Sequence, residues 1–222
     1  MDSAIIELSH CMLPGSENFR LETRTYDVTE ELPEVVHKPD VWYVLSEITM
    51  SSHVGTHVEF PFHHWEMGAD AATYPLSRLI GRASVLDFSY KSPGEGISRE
   101  EVECNAHRIM SGDIVFLRTD CDRLYRTDHW DDQPYLEPLA MQWLIDRQPK
   151  VIGTDAAGFE VPGTDFQPNH LEMFKHNIAM VESATNLAAI ESGTWIVYIL
   201  PLPIEGIDAC PVRIVAVRQE EP

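Results

Sequence analysis

The hydrophobic residues of this chain fall into short runs that are rich in β-branched and aromatic side chains. Runs of this kind, bounded by turn residues, are typical of β-strands. They predict strands over residues 5–8, 41–48, 83–88, 113–118, 151–154, 178–181, 195–200 and 212–217. Because residues 195–200 are almost wholly apolar, we expect them to form a central strand that is covered on both faces.

Helical signals are fewer and occur in three places. Ser98 and Glu101 form a capping-box pattern, Pro138 stands at a first-turn position, and Asn169 is a candidate N-cap. These signals predict helices over 99–109, 138–147 and 169–176. Strands that alternate with helices in this way favour the α/β class, with a mixed sheet and a few helices.

The composition is that of a folded globular protein, since 44 % of the 222 residues are hydrophobic and 23 % are charged. No internal repeat or linker-like tract divides the chain, so residues 1–222 are predicted to form a single domain. The four cysteines include no CxxC pair, which favours reduced thiols. We find no signal-peptide pattern and no apolar stretch of membrane-spanning length, and we expect a cytoplasmic protein.

The charge balance is strongly acidic, with a net charge of −20 at pH 7. Such a surface repels nucleic acid and anionic membranes, so neither is an expected partner. It also disfavours anionic substrates unless a metal ion or an arginine offsets the field. The expected partner is a small-molecule substrate.

Four of the ten histidines lie within residues 53–64. In a straight strand His53 and His57 would lie roughly 13 Å apart, too far for two ligands that each sit about 2 Å from one ion. Gly55 and Pro61 disfavour a helix through the segment. We therefore infer a curled loop in which Gly55 adopts unusual backbone angles and Glu59 converges with the histidines.

Two imidazoles and a carboxylate suit a divalent ion such as zinc or manganese and leave a position for water, whose pKa the ion lowers to about 7. His63 follows the bend at Pro61 and suits a proton shuttle. Two alternatives stay open. The histidines can be structural or at the surface, or His57, Glu59 and His170 can form the triad of a non-haem iron oxygenase. The predicted helices disfavour the oxygenase, whose usual fold is an all-β barrel.

Residues 53–63 resemble the signature of the cyclase-like metal-dependent hydrolases, a family that includes kynurenine formamidase and isatin hydrolase. The signature reads His-x-Gly-Thr-His-x-Asp-x-Pro-x-His, and each fixed position matches except that Glu59 replaces aspartate. Weaker similarities extend the resemblance over nearly the whole chain, at residues 7–10, 112–119, 151–155, 201–206 and 211–213.

The resemblance implies a swivelling β/β/α fold and hydrolysis of a linear or cyclic amide, of the arylformamide or cyclic imide type, by metal-activated water. It assigns the catalytic acid/base role to His63. It also implies one or two divalent ions per chain, zinc before manganese, with a second half-site that uses a histidine and a glutamate twelve residues later. The implied ligands are His53, His57 and Glu59 for one ion, and Glu59, His170 and Glu182 for the other.

Three departures from the family pattern bear on this inference. Glu59 is one methylene longer than aspartate, which shifts a bound metal and puts the second ion in question. His64 stands where the family usually has phenylalanine, and Asp120 replaces a common glycine. Hydrolysis of a lactone or another ester therefore stays open, as does a non-catalytic metal-binding member of the family. Relatives assemble as dimers or tetramers, which implies a homodimer or homotetramer here.

Overall fold

The computed structural model describes residues 4–105, 109–164 and 166–219. Within these ranges the strands are β1 Ile5–Glu7, β2 Leu21–Asp27, β3 Val44–Met50, β4 His57–Glu59, β5 Ile80–Asp87, β6 Gly96–Ile97, β7 Ile114–Arg118, β8 Tyr135–Leu136, β9 Val151–Thr154, β10 Ala179–Glu182, β11 Trp195–Leu200, β12 Ala209–Pro211 and β13 Arg213–Arg218. The helices are α1 Arg99–Asn105, α2 Pro138–Ile145 and α3 Pro168–Lys175. None of these helices has the length and apolar character needed to cross a membrane.

A nine-stranded mixed sheet forms the centre of the molecule, in the order β1-β13-β11-β5-β7-β9-β10-β4-β12. Strands β5, β7, β9 and β10 run parallel to one another. Antiparallel strands flank this group on both sides. The α/β class with a mixed sheet is therefore confirmed. Two smaller pairs, β2–β3 and β6–β8, lie outside the large sheet.

Two hydrophobic cores lie on opposite faces of this sheet, as the alternation along β7 illustrates. Val115 and Leu117 face the core that packs against α1, α2 and α3. Ile114 and Phe116 face the other core, which also contains residues of β4, β11 and β13. Because strands from both ends of the sheet meet in this second core, the sheet curls over itself and gives a β/β/α layering.

The helices begin near their predicted starts. The capping box is present, since the backbone N–H of Ser98 donates to Glu101 and the N–H of Glu101 donates to the Ser98 hydroxyl. Of the predicted helix 99–109, residues 106–108 lie outside the described residues. The prediction that Asn169 is an N-cap was wrong. It lies inside α3, and its buried side-chain amide donates to the carbonyl oxygens of Leu136 and Phe159 instead.

Strand β11 has the predicted bounds, 195–200, but its predicted central position was wrong. It is the third strand from one edge of the sheet, and its side chains alternate between buried and partly exposed. The helix-side core contains residues of the parallel strands and none of β11 among the described residues. The strands whose residues are nearly all buried, and which are therefore covered on both faces, are β4, β7, β9 and β10.

Strands β2 and β3 form an antiparallel hairpin, in register from Leu21 opposite Met50 to Asp27 opposite Val44. The sequence predicted only one strand here, over 41–48, and none in the polar stretch before it. Most of the hairpin's side chains are exposed. A strand that buries neither face carries no hydrophobic alternation, which is why β2 gave no signal.

Candidate metal centre

The segment before β4 is curled, as the ligand spacing required. Gly55 has a φ of +72°, and a Cβ at this position would lie 2.8 Å from the side chain of Met12. The turn brings Nδ1 of His53 to 3.2 Å from Nε2 of His57. Glycine is therefore favoured here by the backbone angle, and a larger residue would also displace the Met12 side chain.

Three predicted ligands form a tight group at this turn. Oε1 of Glu59 lies 3.0 Å from Nδ1 of His53 and 3.4 Å from Nε2 of His57. Three atoms that each lie about 2 Å from one ion are themselves about 3–3.5 Å apart. The group of His53, His57 and Glu59 therefore has the dimensions of a metal half-site.

The pairing of β4 with β10 places Glu182 directly opposite His57. His170, on α3, completes a second group, because its Nε2 lies 3.5 Å from Oε2 of Glu59 and 3.8 Å from Oε1 of Glu182. All ligand atoms of this group lie within 4.8 Å of one another. The two oxygens of Glu59 thus face different groups, which is the geometry of a bridging carboxylate.

Glu59 also shows that this site suits a cation. The residue is only 2 % exposed, and its Oε2 is buried without a hydrogen-bond partner among the described residues. Buried carboxylate oxygens are normally paired, because an unpaired one loses its hydration without compensation. A divalent ion held by Glu59, His170 and Glu182 would supply the direct partner that this oxygen lacks.

The imidazoles are surrounded by negative charge. Burial alone lowers the pKa of His57, but hydrogen bonds to Glu182 and Glu59 outweigh it and raise the pKa to about 10. Burial also lowers the pKa of His170, but hydrogen bonds to Glu160 and Glu182 outweigh it and raise the pKa to about 10. The surrounding carboxylates therefore favour the protonated, cationic form of both rings when no ion is bound. Because a metal ligand must be deprotonated, binding an ion here releases protons.

A second layer of groups holds the outer nitrogens of the same rings. Oδ2 of Asp208 lies 2.8 Å from both Nε2 of His53 and Nδ1 of His63, and Ser52 donates to Oδ1 at 2.9 Å. Glu160 lies 2.8 Å from Nδ1 of His170. Such outer contacts set the tautomer and orientation of metal-binding imidazoles.

The sequence prediction missed both outer carboxylates. Asp208 reaches the site because the residues that follow it pair with β4, where Ala209 lies opposite Glu59. Its one sequence signal was its position inside the family-like C-terminal pattern, between residues 206 and 211. Glu160 precedes α3 in a loop and had no distinguishing pattern.

His63 lies at the edge of the centre, in the 3-10 turn Pro61–His63. Its side chain is 25 % exposed and its ring centroid is 4.8 Å from that of His53. Among the described residues, His63 forms no ion pair with Glu59. His53, His63 and Asp208 form a further group whose possible ligand atoms lie within 4.8 Å of one another. Beside it, His64 makes a 2.7 Å hydrogen bond with Gln167.

A cavity of about 440 Å³ opens onto the centre. Its floor includes His53, His57 and Glu182, and its walls include the aromatic rings of Phe19, Tyr125 and Trp130. This volume lies within the usual range for small-molecule sites.

We expect Asp208→Asn to lower metal affinity and turnover by roughly 10–100-fold, the usual cost of removing an outer partner of a ligating histidine. One carboxylate oxygen accepts from two imidazoles, and an amide oxygen in its place lacks the negative charge that strengthens both contacts, while the NH₂ group meets the Ser52 hydroxyl that donates to the other oxygen. Metal titration and steady-state kinetics measure both quantities. Ser52→Ala, which removes one donor to the same carboxylate, is the matched control with a smaller expected effect. Unchanged metal affinity and turnover in Asp208→Asn would contradict this role.

This chain is similar to known proteins both in sequence and in fold. Residues 6–161 match the family model described as "Putative cyclase". The kynurenine formamidase of Erythrobacter litoralis (strain HTCC2594) is 30 % identical over 205 residues, covering 88 % of this chain and 82 % of the relative. The kynurenine formamidase of Bordetella avium (strain 197N) is 28 % identical over 206 residues, covering 92 % of this chain and 90 % of the relative.

Two solved structures share the fold. An isatin hydrolase bound to the product analogue thioisatinate superposes with a TM-score of 0.84 at 19 % identity, covering 98 % of this chain and 93 % of that one. Isatin hydrolase A from Labrenzia aggregata, bound to benzyl benzoate, superposes with a TM-score of 0.80 at 22 % identity, covering 98 % of this chain and 94 % of that one. The curled mixed sheet with three helices is therefore the architecture of these proteins as well.

Proposed function

The chain belongs to the cyclase family, and we propose that it is a metal-dependent hydrolase that cleaves a carbon–nitrogen bond of a non-peptide amide. The names of its relatives, kynurenine formamidase and isatin hydrolase, support an arylformamide or a cyclic imide as the substrate class. The aromatic residues that line the cavity suit such a substrate, because they offer apolar surface to an aryl ring.

One observation carries the proposal: a buried glutamate whose two oxygens face two different groups of metal ligands. We assign His53, His57 and Glu59 to one ion, and Glu59, His170 and Glu182 to another, with zinc before manganese. The longer side chain of Glu59 spans both groups, which supports two ions despite the replacement of aspartate. Imidazole and carboxylate ligands suit both metals.

Side chains of this protein would supply proton transfer and contacts with the substrate. A divalent cation held by these residues would activate water and polarise the substrate carbonyl. Because Asp208 occupies Nδ1 of His63, Nε2 is the nitrogen that takes a proton from the attacking water and gives one to the leaving amine. Phe19, Tyr125 and Trp130 exclude water from the aryl part of the substrate.

The direct test combines elemental analysis of the purified protein with hydrolysis assays on a panel of arylformamides, cyclic imides and lactones. We expect close to two ions per chain, turnover of at least one amide, loss of turnover after chelation, and recovery when zinc or manganese is added back. Bound metal without turnover of any substrate would favour the non-catalytic alternative. Bound iron with oxygen consumption would favour an oxygenase.

We also propose that the chain forms a homodimer or homotetramer, supported by apolar side chains displayed on the β2–β3 hairpin and its connecting loop. Val36, Trp42 and Ile48 are 94 %, 83 % and 62 % exposed. Apolar surface of this kind is typical of association sites. Native mass spectrometry should find dimers or tetramers, and Trp42→Ser should shift them towards monomer. Leu139→Ser, which replaces an exposed leucine on α2, should leave the oligomeric state unchanged. A monomeric wild-type protein would contradict the proposal.

The cytoplasmic location stays a prediction.

A further inference from the structure

The cavity at the metal centre is lined by acidic residues that are not candidate metal ligands. Besides Glu182, its lining contains Asp128 and Asp131, and none of the described residues that line it is a lysine or an arginine. We propose that this site selects uncharged or cationic aryl amides and discriminates against substrates that carry a carboxylate away from the scissile bond. The inference rests on the proposed hydrolase function.

The two aspartates are uncompensated. Within the described part of the chain, neither side chain takes part in a recorded hydrogen bond or ion pair, and both residues are exposed. Their neighbours in the same loop, Tyr125 and Trp130, form the aromatic wall of the cavity. A substrate that occupies the cavity beside these residues therefore lies near two unpaired negative charges.

The nearest arginine in the loop, Arg126, does not offset them. Its Nη1 lies 3.3 Å from Oε1 of Glu17, whose side chain is buried, and its guanidinium lies over the Tyr125 ring at 4.8 Å from the centroid. Glu17 also accepts a hydrogen bond from the Tyr125 hydroxyl at 2.5 Å. The charge of Arg126 is thus already paired with Glu17, and this contact also holds Tyr125 in place.

The net charge of the whole molecule adds to the negative potential of the cavity. With a net charge of −20, the long-range field lowers the local concentration of anions and raises that of cations. A metal ion can accept a carboxylate that lies beside the scissile bond, so the discrimination applies to charge at the opposite end of the substrate.

The test uses formanilides that differ only at the para position: hydroxymethyl, aminomethyl and carboxymethyl. One methylene separates each charge from the ring, and alkaline hydrolysis rates correct for intrinsic reactivity. At low salt we expect kcat/KM to be at least about tenfold lower for the carboxymethyl compound than for the hydroxymethyl compound, with the aminomethyl compound equal or better. Added salt should narrow the difference, because exposed charges are screened.

The variant Asp128→Asn with Asp131→Asn should remove most of the preference and leave metal content unchanged. Its control, Asp40→Asn with Glu100→Gln, changes net charge equally at exposed sites outside the cavity and should keep the preference. Equal or faster hydrolysis of the carboxymethyl compound overturns the inference, as does an unaltered preference in the cavity variant. If no formanilide, imide or lactone is hydrolysed, the proposed function fails instead.

Discussion

Replacing Glu59 by glutamine is expected to abolish metal binding at both groups and to lower kcat/KM by at least about a thousandfold. One oxygen of Glu59 faces His53 and His57, and the other faces His170. A neutral amide removes the charge that offsets a divalent ion and puts an NH₂ group where one ligand oxygen belongs. A thousandfold loss corresponds to about 4 kcal/mol of transition-state stabilisation, within reach of metal catalysis.

Elemental analysis and kinetics on the same preparation check this result. Glu66→Gln, an exposed glutamate seven residues further on, is the matched control and should behave like the wild type. Glu59→Asp restores the family's usual residue and should keep metal and measurable activity. If Glu59→Gln retained two ions and normal turnover, the bridging assignment would be wrong.

Replacing His63 by alanine is expected to lower kcat by roughly 10²–10⁴-fold, the usual contribution of a positioned acid/base. Metal content should stay near normal, because the ring is not part of either Glu59 group. Added imidazole should recover part of the lost activity by moving the proton in its place. Measuring kcat and metal content together separates proton transfer from metal binding.

His64→Ala is the control for this variant. It removes a neighbouring ring of the same size, whose recorded hydrogen bond goes to Gln167 and not to Asp208. We expect a smaller loss of kcat. Equal loss of metal and turnover in His63→Ala would show instead that His63 is a ligand, in the group that it forms with His53 and Asp208.

The amphipathic and apolar patterns identified most of the fold, and the exceptions share a physical cause. Strands β9 and β11 have the predicted bounds, because buried β-branched residues produce a signal that depends only on local sequence. The same signal does not report position in a sheet, so β11 was placed at the centre although it lies near an edge. Strand β2 gave no signal, since neither of its faces is buried.

The sequence by itself determined the part of the site that lies within seven residues, from His53 to Glu59. There, ligand reach and the conformational freedom of Gly55 left a curled turn as the geometry able to gather three ligands. His170 and Glu182 were inferred through family resemblance, because more than a hundred residues separate them from the turn. Their convergence depends on the register of β10 against β4.

Only the tertiary structure decided which groups surround this centre. Asp208 holds two imidazoles because β12 pairs with β4, and Tyr125 stands in the cavity wall because buried Glu17 binds it from a distant loop. These contacts join residues far apart along the chain, so no local pattern records them. Local composition determines which side chains can bind a metal, whereas strand register and loop packing determine which charges face the substrate.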